Sequence, residues 1–463
     1  MATYSTPGVY VEEIATLAPS VAQVATAIPV FIGYTEKGYD ADKGPVPVRI
    51  DALLDYETQF GKAKSSTFTV AVTDYGKSTQ TLATTRTDAS SNKFLMYYSV
   101  SLYFRNGGSS CYIISVGNYT ASSIDKTNFS NGLGALEKED EPTLIVLVDA
   151  VGLSANKDYY DLCQQALSQC KKLGDRFLIL DVVDTVDKFR GDIGTENLSY
   201  GAAYYPYLNT LLTYQYEESG VTVSGTTTTT EAAAGDEAAE TTTASITMAD
   251  IRTQDTSLYN QIKTELSNQR ITLPPSSALA GIYVQVDGSR GVWKTPANVS
   301  IQSIVGPVKK ISDTDQGGMN VDPTTGKSVN AIRDFTGKGT LVWGGRTLAG
   351  NDNEWRYISV RRLFITIEES IKKATAFAVF EPNDTTTWLK VKAMSESYLY
   401  GLWQQGALAG SKPESAYYVN VGLGKTMTDS DIQEGRMIVE IGVAAVRPAE
   451  FIVLRFYHKV QEA

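Results

Sequence analysis

The side chains that could do chemistry are few, and their spacing works against it. A hydrolytic triad needs an imidazole within hydrogen-bond reach of a serine and oriented by a carboxylate. The chain has one histidine, His458, inside a β-prone run at its C-terminal end, and a terminal strand preorganises an imidazole poorly. Gly326-Lys327-Ser328 and Gly424-Lys425-Thr426 end as a phosphate-binding loop ends, but Val321 and Val419 stand where its first glycine is required. No cradle of backbone N–H groups is expected from either. Asp149 and Asp181 close apolar runs, the place where α/β enzymes put catalytic acids. With no histidine or ligand cluster beside them, they read as cap or turn residues. Cys111, Cys163 and Cys170 are an odd set without C-x-x-C spacing, which points to neither zinc nor a disulfide framework. No enzyme activity, cofactor or metal is expected.

The elements that would have to position such groups alternate in type. Cys111–Val116, Thr143–Val148 and Arg176–Leu180 are short, nearly continuous apolar runs, as parallel strands buried on both faces require. A helix at Asn156–Leu173 lies between the last two and completes a βαβ unit. Its Tyr159, Cys163, Ala166, Cys170 and Leu173 recur at 4-3-4-3 spacing, which puts both cysteines on one apolar face. Seven helical residues set them about 10 Å apart, too far to bridge, so they are core thiols. Phe94–Arg105 is an aromatic-rich helix stopped by Gly107-Gly108, and Tyr39–Asn92, rich in Thr, Ser, Asp and Lys, reads as an exposed inserted subdomain. Val221–Thr243 is Thr, Ala, Glu and Gly with almost no apolar periodicity, and reads as a surface loop.

The last third changes character. Tyr357–Ala374 forms an amphipathic helix with Val360, Leu363, Phe364, Ile367 and Ile371 as its apolar stripe. Arg361, Arg362, Lys372 and Lys373, with Glu368 and Glu369, take the remainder. A second helix, Thr387–Gln404, starts from Asp384 or Thr385, and strands follow at Tyr417–Val421 and Met437–Val443. Helices on a small sheet make an α+β module. The 463 residues exceed what one core usually supports. The balance of 41 basic against 52 acidic residues, net −11, argues against a nucleic-acid-binding surface over the whole protein, though not against a local basic face. The uncharged stretch Ile14–Thr35 is broken by Pro19, Ser20, Gln23, Thr26 and Pro29, so it reads as an extended linker and a buried strand instead of a membrane span. With no secretory signal in Met1–Ser5, synthesis in the bacterial cytoplasm is expected.

Both ends are short β-prone runs: Thr6-Pro7-Gly8-Val9-Tyr10-Val11-Glu12-Glu13, and Arg447-Pro448-Ala449-Glu450 followed by Phe451 to Phe456. A strand at an extreme terminus pairs with its own domain or leaves to pair with another copy.

With these ends, Val30-Phe31-Ile32-Gly33-Tyr34, Gly107-Gly108 before Cys111, Asp175–Asp181, Pro274–Gly281, Gly291–Asn298, Trp343-Gly344-Gly345-Arg346-Thr347 and Val360–Phe364 follow in an order that resembles the contractile tail sheath family of myophage tails, R-type pyocins and extracellular contractile injection systems. The Val221–Thr243 stretch and the Asp322–Gly326 turn read as insertions against it. The resemblance implies an α/β and α+β multidomain fold with terminal β-strand arms. Residues 1–27 would be the N-terminal arm and linker. Residues 28–340 would be a subtilisin-like α/β core with an insert at about 39–92 and a loop at about 221–243, 341–446 an α+β C-terminal domain, and 447–463 the C-terminal arm. It implies a structural subunit that stacks as hexameric rings around an inner tube and contracts to drive the tube through a target envelope. The alternative is a hydrolase on the subtilisin-like scaffold. Its partners would be further copies, the tube, baseplate and tail terminator proteins and sheath paralogues, without nucleic acid or membrane insertion. It would sit in a phage virion tail or a released extracellular particle. Val9, Tyr10, Val11, Glu12, Phe451, Ile452, Val453 and Leu454 would pair between subunits, and Arg361, Arg362, Lys372 and Lys373 would face the tube.

Overall fold

Apolar runs without alternation belong in a sheet covered on both faces. In the computed structural model, which describes residues 21–91, 93–226 and 243–455, they form the middle of a nine-stranded sheet. From edge to edge its strands are Val299–Ser300, Gly339–Trp343, Val329–Phe335, Gly201–Tyr205, Phe177–Asp181, Leu144–Leu147, Pro29–Thr35, Cys111–Asn118 and Pro47–Ile50. Pairing is parallel from Val329–Phe335 through Cys111–Asn118, with Val30 opposite Ile145 on one side and Tyr112 on the other. It turns antiparallel toward both edges. The helix Asn156–Leu173 joins Leu144–Leu147 to Phe177–Asp181 as the expected βαβ unit. Gly174 ends it with φ of 75°, a left-handed cap that glycine adopts without a Cβ clash. Cys111, Cys163 and Cys170 are free thiols with 0% exposure, in the core as expected.

The described chain divides into two units, one of residues 25–365 with 447–455, the other of 21–24 with 366–446. The division was expected near 340. It falls later because Gly339–Trp343 pairs with Val329–Phe335 in the large sheet, and Ile358 and Ile365 of the helix Ile358–Ala374 belong to that sheet's core. The second unit carries the end of that helix, the helix Thr385–Gln404 and a two-stranded sheet of Tyr417–Val421 with Val439–Val443. Asp384 is the N-cap, its carboxylate accepting from the Thr387 N–H.

Two expectations are corrected within the first unit. Tyr39–Asn92 is not one exposed insert: Pro47–Ile50 pairs with Cys111–Asn118, and Tyr56 and Phe60 of the helix Leu53–Phe60 lie in the main core. Only the hairpin Phe68–Thr73 and Thr81–Arg86 leaves it, joining a four-stranded sheet with Val221–Thr226 and Thr243–Thr247. Nor is Val221–Thr243 all surface loop. Val221–Thr226 runs parallel to Phe68–Thr73, and Val221 and Val223 pack with Phe68, Val70, Ile251 and Ile262 in a second core. Composition concealed this strand because its alternating Val221-Thr222-Val223 opens a run of threonines. Residues 227–242 lie outside the described residues, as do Val9, Tyr10, Val11, Glu12 and His458.

Replacing residues 227–242 with a short Gly-Ser linker should shift the thermal midpoint little, since loop length costs little. Replacing 221–243 removes a central strand and two buried valines, and should unfold the second core. Protection of backbone amides in Phe68–Thr73 from hydrogen exchange separates the two outcomes.

Candidate functional site

In a doubly wound sheet the ligand crevice opens where the strand order reverses, beyond the carboxyl ends of the strands. Here that point lies between Pro29–Thr35 and Leu144–Leu147. Asp149 fills it. Its carboxylate accepts the Tyr34 N–H at 2.6 Å and the Leu95 N–H at 2.5 Å, with 0% exposure. Gly33 makes room for it, because a Cβ there would meet Asp149 Oδ2 at 2.6 Å. Asp181, at the end of Phe177–Asp181, accepts the Ser276 N–H at 2.8 Å and the Ser276 hydroxyl at 2.6 Å, holding the first turn of the helix Ser276–Arg290. Burial pushes both carboxyls up to about 7, against the opposing pull of those hydrogen bonds. Both acids serve as structural ties, as the sequence suggested. Among the described residues no group of histidine, cysteine or acidic side chains is placed to hold a metal ion.

The C-terminal segment carries the other built cluster of polar contacts. Arg447 Nη1 donates to the Asn353 carbonyl at 3.0 Å, and Glu450 meets four donors. Arg346 Nε donates to Glu450 Oε1 at 2.9 Å and Nη2 to Oε2 at 2.6 Å, while Asn320 Nδ2 donates at 2.6 Å and the Tyr357 hydroxyl at 3.2 Å. Burial alone would raise the Glu450 carboxyl, but the Arg346 and Asn320 hydrogen bonds outweigh it and hold it below its ordinary value. Arg346 also donates to the Asn320 and Gly350 carbonyls, so its guanidinium is held by backbone as well as by Glu450. Beyond Glu450, Phe451, Ile452, Val453 and Leu454 are 70%, 80%, 76% and 72% exposed and pair with no described strand. A cleft of about 620 Å³ lies at the root, lined by Asn298, Arg333, Trp343 and Tyr357 and bordered by Phe451 and Ile452. The Glu450 anchor escaped the sequence reading. Its signal was a lone charge between Arg447 and Arg455 in an otherwise apolar run.

The expected basic face on the helix Ile358–Ala374 is corrected for its first half. Arg361 is buried, its guanidinium 4.6 Å from the Tyr200 ring centre and 4.3 Å from that of Trp355. Arg362 is buried against Asp287 with contacts of 3.0 and 2.5 Å, lies 4.7 Å from the Tyr283 ring, and donates to the Thr26 carbonyl at 2.9 Å. The helix sinks more than its apolar stripe into the core because aromatic and acidic partners wait on its polar side. Lys372 and Lys373 are exposed and reach back to Glu369 at 3.0 and 3.4 Å.

The two-stranded sheet is the other unfinished surface. Tyr417 pairs with Val443 and Val421 with Val439; Leu408 bridges Ala445 just past the ribbon, and along the two strands themselves neither outer edge pairs with another described strand. Such a ribbon is marginal by itself.

Residues 350–459 match the family model described as phage tail sheath C-terminal domain. Over 99% of both chains the protein is 33% identical to the chain in the sheath complex of an extracellular contractile injection system, PVC, in its contracted state, with a TM-score of 0.65. It is 31% identical, also with a TM-score of 0.65, to a chain of the anti-feeding prophage helical sheath in its contracted state, over 99% of this chain and 100% of that one. Curated tail sheath proteins of Vibrio phage KVP40 and Enterobacteria phage T4 are each 24% identical over 40% of this chain. The match spans about a quarter of their length, 26% and 27%.

The raised carboxyls give stability a direction with pH. Asp149 and Asp181 stay protonated in the fold up to about 7, whereas an unfolded aspartate ionises near 3.8. Between those values the folded chain binds more protons, so their contribution is full below the window and is lost as pH rises to about 7, by up to about 1.4 kcal/mol per pH unit for each group. Asp181→Asn keeps both Ser276 hydrogen bonds without a titrating proton and should flatten that slope. Asp149→Asn sets an NH2 against a backbone N–H and should destabilise at every pH. Denaturant unfolding from pH 5 to pH 8 measures both.

Proposed function

The chain belongs to the contractile tail sheath family, and from that premise we propose that it is the structural subunit of a sheath that polymerises as stacked hexameric rings around an inner tube. Contraction then drives the tube through a target envelope, in a phage tail or a released phage-tail-like particle. The observation that carries this reading is the anchored root at Glu450 followed by four exposed apolar residues, Phe451 to Leu454. A monomer has no use for such a segment in water, whereas a strand added to another copy satisfies its backbone and covers its side chains. The open ribbon of Tyr417–Val421 and Val439–Val443 fits as the receiving sheet. Each added hydrogen bond contributes about 1 kcal/mol net, modest singly and large over many subunits. Baseplate and terminator proteins would set the two ends of the polymer. The work comes from interface free energy stored at assembly. A hydrolase on this scaffold gains no support, because Asp149 and Asp181 spend their oxygens on backbone and Ser276 donors.

Deleting residues 451–463, or substituting Val453→Pro, should leave the monomer's melting curve unchanged and abolish long sheaths in electron micrographs. Proline removes one ladder donor and fixes φ. Full-length tubes from either variant would sink strand exchange at this end.

Tube docking now rests on Lys372 and Lys373 alone, on charge complementarity. Reversing both to glutamate should loosen the extended sheath–tube complex, more at low salt than at moderate salt, and leave the contracted sheath intact. Arg362→Ala should act on the fold instead, costing about 3–5 kcal/mol by stranding the buried Asp287 carboxylate. Tube co-sedimentation and chemical denaturation of the monomer distinguish the two classes.

A further inference from the structure

We infer that Glu450 is a positioning residue that clips the root of the C-terminal segment to its own subunit, so that the part free to engage a second copy of this chain begins at Phe451. This rests on the strand-exchange reading above and specifies where the strap pivots. Three observations carry it. The Glu450 carboxylate takes Arg346 in a forked pair, and Asn320 and Tyr357 complete its shell from two further points of the same unit. The Arg346 guanidinium is 4% exposed and also donates to the Asn320 and Gly350 carbonyls, so the receiving half of the clip is held by its own unit as well as by the segment. One residue later the chain loses every such tie: Phe451 to Leu454 form no hydrogen bond with a described residue and stand at least 70% exposed.

A pivot placed there has a mechanical consequence. Arg447 on Asn353 and Glu450 on Arg346 fix the root at two points, which sets the direction in which the segment leaves. The cleft bordered by Phe451 and Ile452 leaves room for the chain to swing at that position. Fixing the root lowers the ordering cost of strand addition, because only residues beyond it must be immobilised on docking. Without the clip, the same strand would search from a longer, looser tether and assemble only at higher concentration.

The test uses the full-length chain with one label at a time, on Ala449→Cys or Val453→Cys. Both positions are exposed, and the three native cysteines are 0% exposed and will not compete. In unassembled wild-type protein, spin-label spectra should show position 449 restricted and position 453 mobile, with 453 becoming restricted in sheaths. Glu450→Ala should free position 449 in the monomer and raise the concentration for half-maximal assembly by about tenfold, the loss of roughly one charge-assisted contact. Asn320→Ala removes one donor to Glu450 while Arg346 stays paired, and should move both readouts the same way by less. If Glu450→Ala does not fold, the Asn320→Ala result decides alone. A restricted label at 449 in the variants, or a freed label with unchanged assembly, overturns the clip. The deletion of residues 451–463 keeps the two ideas separate. Assembly of that deletion refutes strand exchange whatever the label at 449 reports, and the label reports on the clip in monomers whatever the deletion does.

Discussion

Buried arginines fix the backbone at two places, where the chain enters the first unit at its N-terminal side and where its C-terminal stretch departs, and the architecture turns on them. Arg362, paired with Asp287 and stacked on Tyr283, donates to the carbonyl of Thr26, where the N-terminal stretch enters the first unit. Arg346 holds Glu450, where the C-terminal stretch departs. A buried ion pair adds little net stability, since desolvation cancels most of its Coulomb gain, but breaking one partner costs several kcal/mol. That asymmetry suits a fixed exit. An apolar contact of equal strength could slide, whereas a forked guanidinium–carboxylate contact has one geometry.

The same economy of polar groups explains why an α/β sheet of this topology serves as a building block. The crevice where relatives of the architecture bind ligands is closed from within by Asp149, and Gly33 keeps the strand backbone close enough for that carboxylate to reach Tyr34 and Leu95. Asp181 does the matching task at the helix Ser276–Arg290, where a carboxyl satisfies the end of the helix that points its amides outward. Two acids that would be catalytic candidates by position are used to lock strands to helices.

Much of the fold was legible from periodicity. Asn156–Leu173 and Tyr417–Val421 fall where the pattern put them, because a strong helical stripe and a short alternating run leave no competing arrangement. What stayed hidden was long-range. Val221–Thr226 looked like low-complexity sequence, and only the hairpin Phe68–Arg86, more than a hundred residues earlier, makes it a strand. Arg361 and Arg362 looked like surface because helical spacing reports which residues share a face. It cannot report that the facing surface offers Tyr200, Trp355 and Asp287. The exposed segment itself was legible as β-prone. Its anchor was not, since Arg346 lies 104 positions away in sequence.

An exposed run such as Phe451-Ile452-Val453-Leu454 invites indiscriminate pairing, the hazard of every free strand. Two features limit it. Arg447 and Arg455 flank the run, and charges at the ends of an apolar segment oppose its stacking on copies of itself. The proposed clip at Glu450 would then restrict the directions from which a partner edge could be met. A short strap gains only a few net hydrogen bonds against the entropy of ordering its residues, so one isolated pairing is weak. Under the strand-exchange proposal, pairing would become favourable only when further contacts of the same subunit form with it, which would tie strand addition to correct placement in a growing assembly.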